Sequence, residues 1–208
     1  VKSNWFNFKL NLLTIFNHQM RNFRFIVLEG IDRCGKSSVT KILSKKLNAE
    51  VYTFPERKTK IGQILDSYLT SKENFAPQVS HLLFSANRWE LAEKIEKTLE
   101  TKAIVCDRYY YSGIVYSLLN GLEFDWASQA DKGLPEPDLV AFIDINPELI
   151  VEREGFGDER YDSVQIQSKV YNLYKSLFLN KENVKFFNGS KNTDEIAQDI
   201  YDFIITED

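Results

Sequence analysis

GIDRCGKS at Gly30–Ser37, preceded by the apolar run FIVL at Phe25–Leu28, decides the fold of this 208-residue chain. Gly30 and Gly35 flank four residues, and a lysine and a hydroxyl follow, which is the pattern of a phosphate-binding loop. Glycines let the backbone curl so that successive amide groups point at one phosphate. The helix that begins at Lys36 directs its positive end at the same anion. The stretch therefore predicts a strand, a loop and a helix that bind a mononucleotide.

The residues around the glycines support this interpretation over a simple glycine turn. A turn would leave unexplained both the Lys36-Ser37 pair and the apolar run before the loop. Lys36 is expected to reach the outer phosphates, and the Ser37 hydroxyl can ligate magnesium. The nucleotide-binding residues expected from the loop are Gly30, Asp32, Arg33, Cys34, Gly35, Lys36, Ser37 and Ser38.

Composition narrows the class of protein. A hydrophobic content of 43 % and the absence of a low-complexity linker favour one domain with a substantial core. The net charge of -4, without a dense Lys/Arg stripe, argues against nucleic acid as a partner and favours a small anionic substrate. With Cys34 and Cys106 as the only cysteines, a reducing compartment is expected. We expect a cytoplasmic protein, with a nuclear or organellar pool left open.

Residues 1–19 differ in composition from the rest of the chain. They contain neither glycine nor acidic residues, and they end before Met20, the only methionine. We expect an upstream or non-native extension over 1–19 and a single domain over 20–208. The apolar stretch Leu12–Phe16 is too short for a membrane span, so no membrane partner is expected.

Hydrophobic periodicity predicts alternating strands and helices. This pattern indicates a three-layer α/β fold of the P-loop NTPase type, with a five-stranded, mostly parallel sheet and helices on both faces. Strands are predicted at 25–28, 50–54, 103–106, 139–144 and 184–187, helices at 61–68, 77–100, 110–119, 124–132, 164–179 and 193–205, and a further helix opening at Pro147.

The long helix predicted over 77–100 has two distinct faces. Val79, Leu82, Leu83 and Ala86 recur at helical spacing and form its apolar face, while His81 is interpreted as an ordinary helix residue. Phe84 and Arg88 lie four residues apart and share another face. They could clamp a base, or they could be a partly buried aromatic beside a salt-bridged arginine, and the spacing does not decide.

Charged residues cluster where strands end. Asp107 follows the third strand, where a carboxylate can hold magnesium through water, although it could instead cap the next helix. Arginines lie in loops and at strand ends, and guanidinium groups bind phosphate in two-pronged fashion. These arginines are Arg33, Arg57, Arg88, Arg108, Arg153 and Arg160.

Five further segments together resemble the thymidylate kinases. The resemblance covers nearly all of the chain from Phe25 onward and is more specific than the phosphate loop alone. The segments are FPER at 54–57, HLLFSANRWE at 81–90, DRYYYSG at 107–113, GLPEPD at 133–138 and GFGDERYD at 155–162. The resemblance implies magnesium-dependent transfer of a phosphoryl group from ATP to dTMP, in a homodimer whose interface could be the apolar face of the long helix.

The resemblance also implies roles for individual residues. Phe84 would stack on thymine and Arg88 would bond the base edge. Asp32 would contact the 3′-hydroxyl, and Tyr116 would crowd the ribose 2′ position. The remaining substrate contacts would come from Phe54, Arg57, Arg108, Gly113 and Tyr161, with Arg57 and Arg108 on the acceptor phosphate. Spacing independently predicts that Tyr109, Ser112, Gly113 and Tyr116 lie along one helical face.

The catalytic arginine is expected in the loop. The lid, Glu154–Asp162, carries acidic residues beside Arg160, as in the eukaryote-like class in which the loop arginine acts, here Arg33. The predicted catalytic set is therefore Arg33, Lys36 and Arg108, and Arg153 would stack on adenine. Cys34, Ser38, Tyr110 and Tyr111 depart from the usual family pattern.

Three alternatives remain open at this stage. The first is a related kinase with another nucleotide or a nucleoside as acceptor. The second is a nucleotide-binding regulatory module, although an Asn-Lys-x-Asp guanine motif is absent. The third is an inactive scaffold, which the retention of Lys36, Ser37 and Asp107 disfavours.

Overall fold

The computed structural model describes residues 23–150 and 160–206. Within these ranges strands and helices alternate, as the periodicity predicts. The strands are β1 Phe25–Glu29, β2 Glu50–Thr53, β3 Ile104–Asp107, β4 Leu139–Asp144 and β5 Val184–Asn188. The helices are α1 Lys36–Leu47, α2 Lys60–Leu69, α3 Pro77–Trp89, α4 Ala92–Leu99, α5 Tyr110–Leu119, α6 Phe124–Gln129, α7 Val164–Leu177 and α8 Thr193–Thr206, with a short 3-10 helix at Pro147–Ile150.

The sheet brings the predicted functional segments to one edge. Its order is β2-β3-β1-β4-β5, and every neighbouring pair is parallel. Leu28 of β1 and Thr53 of β2 are both in register with Asp107 of β3. The phosphate loop, the FPER segment and the DRY segment therefore all begin at the carboxyl edge of the sheet, where open α/β sheets bind ligands.

Two clusters of buried side chains flank the sheet, because successive residues of a strand point to opposite faces. Ile26 and Leu28 belong to the larger cluster, which includes side chains of α1, α5, α7 and α8. Phe25 and Val27 belong to the smaller one, which includes Ile95 of α4. The predicted three-layer arrangement is confirmed.

The single helix predicted over 77–100 is wrong, because the chain turns at Glu90 and Leu91. The Leu91 amide bonds the Arg88 carbonyl, only three residues back, and the Asn87 side chain donates to Glu90 Oε2 at 3.1 Å. These contacts tighten the last turn of α3 and end it. The buried stripe nevertheless continues in step from His81, Ser85 and Arg88 of α3 into α4, so periodicity alone does not reveal the break.

The face of α3 that the sequence marks as apolar points outward. Val79 and Leu82 are 46 % and 50 % exposed, whereas the polar residues Ser80, His81, Ser85, Asn87 and Arg88 are buried. Polar side chains are buried only where partners satisfy them. The reversal therefore indicates that α3 turns its polar side toward a site. Among the described residues, no helix combines the length and hydrophobicity needed to cross a bilayer.

Candidate active site

A cavity of about 580 Å³ lies at the carboxyl edge of the sheet. Most of the residues predicted for the site line it. These are Asp32, Arg33, Gly35, Lys36, Ser37, Ser38, Phe54, Arg57, Phe84, Arg88, Asp107, Arg108, Gly113, Tyr116 and Tyr161. Cys34 is fully buried behind the loop. Arg153 and most of the predicted lid lie outside the described residues.

The phosphate loop has the curvature that its glycines predict. Gly30 has φ +151°, and an added Cβ would lie 2.8 Å from Cys34 Sγ and 3.0 Å from the Ile143 carbonyl oxygen. Lys36 Nζ is buried and donates to the carbonyl oxygens of Ile31 at 2.7 Å and Gly30 at 3.2 Å. Gly35 precedes α1 without a side-chain cap. The ammonium and the first amides of α1 therefore face the same loop, as anion binding requires.

Ser37 and Asp107 meet across the carboxyl edge. Ser37 Oγ donates to Asp107 Oδ2 at 2.5 Å. Of the two interpretations of Asp107, capping of the next helix is wrong, because α5 has Tyr109 at its N-cap and no side-chain capping bond. A hydroxyl and a carboxylate oxygen are the donor types that magnesium prefers, so the pair suits that ion.

Arg108 is held inside the cavity wall by several oxygens. Its Nη2 forms an ion pair with Asp32, and its Nη1 donates to the Gly30 carbonyl at 3.1 Å and to Ser112 Oγ at 3.0 Å. Burial opposes the charged form, but Asp32 outweighs it and raises the pKa of Arg108 well above its ordinary value. Burial likewise opposes ionisation of Asp32, yet Arg108 and Lys36 lower the pKa of this carboxyl. Both groups are therefore charged at neutral pH.

Two further donors hold Asp32 Oδ2. The Tyr116 hydroxyl donates to it at 2.6 Å, and Gln167 Nε2 donates at 2.8 Å. Gln167 lies on α7, far along the chain, and the sequence analysis missed it. Its only local signal is a polar residue at a position where the helical spacing of α7 predicts an inward side chain.

Glu29 is another residue that the sequence analysis missed. It is fully buried at the end of β1, where it accepts bonds from the Tyr109 amide at 3.0 Å and the Ser112 amide at 3.1 Å. The hydroxyls of Ser112 and Tyr174 also donate to it, at 2.7 and 2.8 Å. A carboxylate that ends an otherwise apolar strand is the signal that could have revealed it. Glu29 thus holds in place the backbone between β3 and α5, from which the Arg108 side chain extends into the cavity.

Phe84 and Arg88 both face the cavity, from α3. Arg88 is 2 % exposed and forms a two-pronged ion pair with Asp131, through Nε at 2.9 Å and Nη2 at 2.7 Å. An added Cβ on Gly113 would lie 2.7 Å from Arg88 Nη2, so only glycine leaves the guanidinium in place. The sequence left open a clamp for a base or a partly buried aromatic beside a salt-bridged arginine. The structure has features of both: Arg88 is salt-bridged, and the Phe84 ring lines the cavity.

His81 is more than the ordinary helix residue that was expected. It is 2 % exposed, lines the cavity, and lies 2.6 Å from Ser117 Oγ through Nδ1. Burial and the nearby Arg88 lower the pKa of His81. The predicted helical face is confirmed for Ser112, Gly113 and Tyr116, which lie on α5, and Tyr109 lines the same cavity from just outside that helix. Tyr109 precedes α5, and its ring packs in the core against Phe25 and Phe54 at centroid distances of 5.2 and 5.6 Å.

The FPER segment reaches the mouth of the cavity. Its shape depends on Asn87, which accepts from the Glu56 amide at 2.7 Å and donates to Thr59 Oγ1 at 3.0 Å. The side chain of Arg57 is 43 % exposed and forms an ion pair with Asp66 at 2.5 Å. Arg57 is therefore the most exposed of the cations predicted to bind the acceptor.

The residues that lead into α7, Tyr161–Ser163, form what we call the lid stem. Arg33, at φ +61°, is joined to Asp162 of the lid stem by an ion pair of 3.0 Å. The Tyr161 hydroxyl contacts that of Tyr68 at 2.8 Å, and its ring lies 4.8 Å from the Tyr116 ring. The lid stem thus touches both the phosphate loop and α5.

This fold, with a phosphate loop at the carboxyl edge of the sheet and a large cavity beside it, is that of a nucleoside monophosphate kinase. Comparison with known proteins shows to which family of this class the chain belongs. The sequence model of the family described as "Thymidylate kinase" matches residues 28–200. The chain therefore belongs to the thymidylate kinase family, whose members transfer a phosphoryl group from ATP to dTMP.

Individual relatives agree with this assignment. The thymidylate kinase of Homo sapiens is 38% identical over 196 residues, which cover 90% of this chain and 92% of the relative. That of Schizosaccharomyces pombe is 38% identical over 192 residues, covering 87% and 91%. The structure of thymidylate kinase from Candida albicans superposes with a TM-score of 0.83 at 36% identity, covering 89% of this chain and 92% of that chain.

Proposed function

We propose that this chain phosphorylates dTMP in the cavity described above, with ATP on the phosphate loop and dTMP between α3 and α5. One observation carries the proposal. Lys36, Asp107 and Arg108 line the same cavity as Phe84 and Arg88. A phosphate site and a base site in one space suit transfer between two nucleotides better than hydrolysis by a regulatory module.

Phosphoryl transfer requires the protein to align the two substrates and to compensate the negative charge of the transferred group, and it needs no covalent intermediate. Lys36 would bind the outer phosphates of ATP, and Arg57 with Arg108 would bind the phosphate of dTMP. Arg33 would neutralise the phosphoryl group in transit. No general base is needed in this scheme.

Ser37 and Asp107 would hold magnesium, the Asp through water. The ion, when bound, would offset negative charge on the ATP phosphates. The 2.5 Å contact between their oxygens supports this assignment, because both already face one point.

The base and sugar would be held at the far end of the cavity. Phe84 would stack on thymine. Asp131 engages Nε and Nη2 of Arg88, and among the described residues Nη1 has no such partner, which leaves it for a base carbonyl. Tyr116 would crowd the ribose 2′ position, which gives discrimination on the order of a hundredfold.

Asp32 has spare capacity to receive the 3′-hydroxyl. A carboxylate offers about four acceptor positions. Within the described part of the chain, Arg108 occupies one on Oδ1, while Tyr116 and Gln167 occupy those on Oδ2. The lowered pKa of Asp32 keeps it an acceptor at neutral pH.

The loop arginine is a better candidate than Arg160 for the transferring phosphoryl. Arg160 donates to the Tyr68 carbonyl at 2.9 Å, the Glu73 carbonyl at 2.7 Å and Asn74 Oδ1 at 2.8 Å, at the end of α2. Its guanidinium also lies 4.2 Å from the centre of the Tyr68 ring. Arg33, in contrast, lines the cavity beside Lys36. Arg153 is proposed to stack on adenine, and Tyr161 to close over dTMP.

We further propose a homodimer that works in the cytoplasm. Val79, Leu82 and Trp89 of α3 are 46 %, 50 % and 42 % exposed, and Trp126 of the adjacent α6 is 42 % exposed. Apolar and aromatic residues of this kind are enriched in interface cores. Cys34 and Cys106 are buried free thiols, which suits a reducing compartment.

The deciding experiment compares dTMP, dUMP, UMP and thymidine as acceptors under one condition with ATP and magnesium. We expect dTMP to have the highest kcat/KM, and thymidine to be a very poor acceptor because it offers Arg57 and Arg108 no phosphate. A preference for thymidine would contradict the proposed phosphate clamp. ATP consumption that ignores added dTMP would instead favour the regulatory module.

A further inference from the structure

Gln167 connects parts of the protein that are distant in sequence. It lies on the first turn of α7 and is fully buried. Its Oε1 accepts the Asp32 amide at 2.8 Å, and its Nε2 donates to Asp32 Oδ2 at 2.8 Å and to the Tyr161 carbonyl at 3.0 Å. One side chain thus joins the phosphate loop to the lid stem.

The chemistry of the partners fixes the orientation of this carboxamide. The Asp32 amide can only donate, so it requires the oxygen of Gln167. The ionised carboxylate and the Tyr161 carbonyl can only accept, so they require the two N–H groups. If the amide were flipped, its N–H groups would face the Asp32 amide and its oxygen would face the carboxylate and the carbonyl, so all three hydrogen bonds would be lost. The carboxamide therefore has one orientation, in which a single side chain bonds both the phosphate loop and the lid stem.

Gln167 also restricts Asp32 directly. It hydrogen-bonds both the backbone N–H and the carboxylate of this residue, so the carboxylate cannot rotate while both bonds to Gln167 are kept. Tyr116 and Arg108 hold the carboxylate from α5 and its preceding corner, whereas Gln167 holds it from α7. Tyr116 also touches the lid stem through its ring, but of these three only Gln167 has a hydrogen bond to the lid stem within the described ranges.

We infer that Gln167 is a positioning residue that couples docking of the lid stem to the orientation of the Asp32 carboxylate, and thereby to recognition of the acceptor's 3′-hydroxyl. The inference rests on the proposed role of Asp32. It goes beyond that role by assigning the lid stem an influence on sugar recognition. A side chain that merely fills the core would affect stability but would not affect recognition of one hydroxyl.

The first test compares dTMP with its 3′-deoxy analogue in wild type and in Gln167→Met, which keeps the length of the side chain and removes its hydrogen bonds. We expect kcat/KM for dTMP to fall about tenfold, which corresponds to the loss of the hydrogen bond between Asp32 and the 3′-hydroxyl. The kcat/KM for the 3′-deoxy analogue, which cannot form this bond, should change much less. The exposed Gln165→Met, two residues away on the same helix, is the matched control. An equal loss with both acceptors, or no loss, would overturn the inference.

The second test uses Gln167→Glu and does not depend on the methionine variant folding. The new carboxyl would face Asp32 and Tyr116 on the loop side and the Tyr161 carbonyl on the lid stem, while Arg108 and Lys36 are the cations that act on Asp32 itself. Its nearest charged neighbour would be the Asp32 carboxylate, so its pKa should be raised. Activity relative to Gln165→Glu should be lowest at high pH and should recover as pH falls and the new carboxyl becomes neutral. A ratio that is flat with pH would contradict the inference.

Asp32→Asn separates this inference from the proposed function. If Asp32→Asn abolishes discrimination between the two acceptors and the Gln167 variants do not, the coupling is wrong and the role of Asp32 stands. If Asp32→Asn retains full discrimination, the role of Asp32 and the coupling both fail. If Asp32→Asn and the Gln167 variants all lose discrimination, the coupling is supported.

Discussion

At the scale of single residues, Arg33 and Lys36 lie in one loop but are held differently. Lys36 is buried and bonds the carbonyls of Gly30 and Ile31 within the loop. Arg33 is 30 % exposed and forms its ion pair outside the loop, with Asp162 of the lid stem. The Asp162 carboxylate of this pair is only 2 % exposed, so the pair is more than a surface contact. Arg33 is nevertheless the more exposed of the two cations and lines the cavity, which suits a catalytic cation.

Replacing Arg33 by alanine should lower kcat by roughly 10³ to 10⁵, the range found for arginines that neutralise a phosphoryl group in transit. The measurement is steady-state turnover with saturating ATP and dTMP. Lys41→Ala, which removes a positive charge from an exposed position on α1, is the control and should leave kcat unchanged. Unchanged turnover in the Arg33 variant would remove this residue from the catalytic set.

Residue types in the site could be predicted from sequence more readily than their partners. The phosphate loop and the cations at strand ends follow from local motifs, and the structure brings Lys36, Arg88 and Arg108 into one cavity. The partners of Asp131, Glu29 and Gln167 could not be found this way. Their contacts join positions 43, 83 and 135 residues apart, and a lone buried polar residue looks locally like any other.

At the scale of secondary structure, the strand boundaries follow closely from the hydrophobic runs, and β4 has the predicted limits. The helices were predicted less well where polar residues are buried. On α3 the inward face is polar because Asp131, Ser117 and the FPER segment satisfy it, so its apolar residues face outward. A rule that assigns apolar residues to the core fails wherever a helix forms the wall of a binding site.

The contact between α2 and the FPER segment gives a prediction at this scale. An added Cβ on Gly62 would lie 1.8 Å from the Glu56 carbonyl oxygen and 2.8 Å from Arg57 Cα. Gly62→Ala should therefore displace the segment, lower the free energy of unfolding by about 1–3 kcal/mol and raise KM for dTMP. Urea denaturation and steady-state kinetics measure the two effects.

Gly121→Ala serves as the control for this prediction. Gly121 has φ +84° and nothing within 4 Å of an added Cβ. Its replacement should destabilise the fold by about 1–2 kcal/mol through backbone strain alone, without a change in KM. If both variants raise KM equally, general destabilisation rather than displacement of Arg57 is responsible.

At the scale of the whole molecule, the outward apolar face of α3 predicts the oligomeric state. Leu82→Glu should convert the proposed dimer to a monomer, because a carboxylate buried without a partner at an interface is strongly unfavourable. Light scattering coupled to size exclusion measures the mass. Leu179→Glu, at a site 71 % exposed after α7, introduces the same charge and should leave the dimer intact. A wild-type protein that is monomeric at micromolar concentration would refute the proposed assembly.

The internal bonding of Lys36 has a thermodynamic consequence. Since oxygens of its own loop satisfy its ammonium, the curvature does not depend on a bound phosphate to hold it. Nucleotide binding then exchanges one set of hydrogen bonds for another and does not have to order a flexible segment. Such preorganisation reduces the entropy lost on association. The affinity for nucleotide should accordingly depend more on the charges that the loop presents than on any folding of the loop itself.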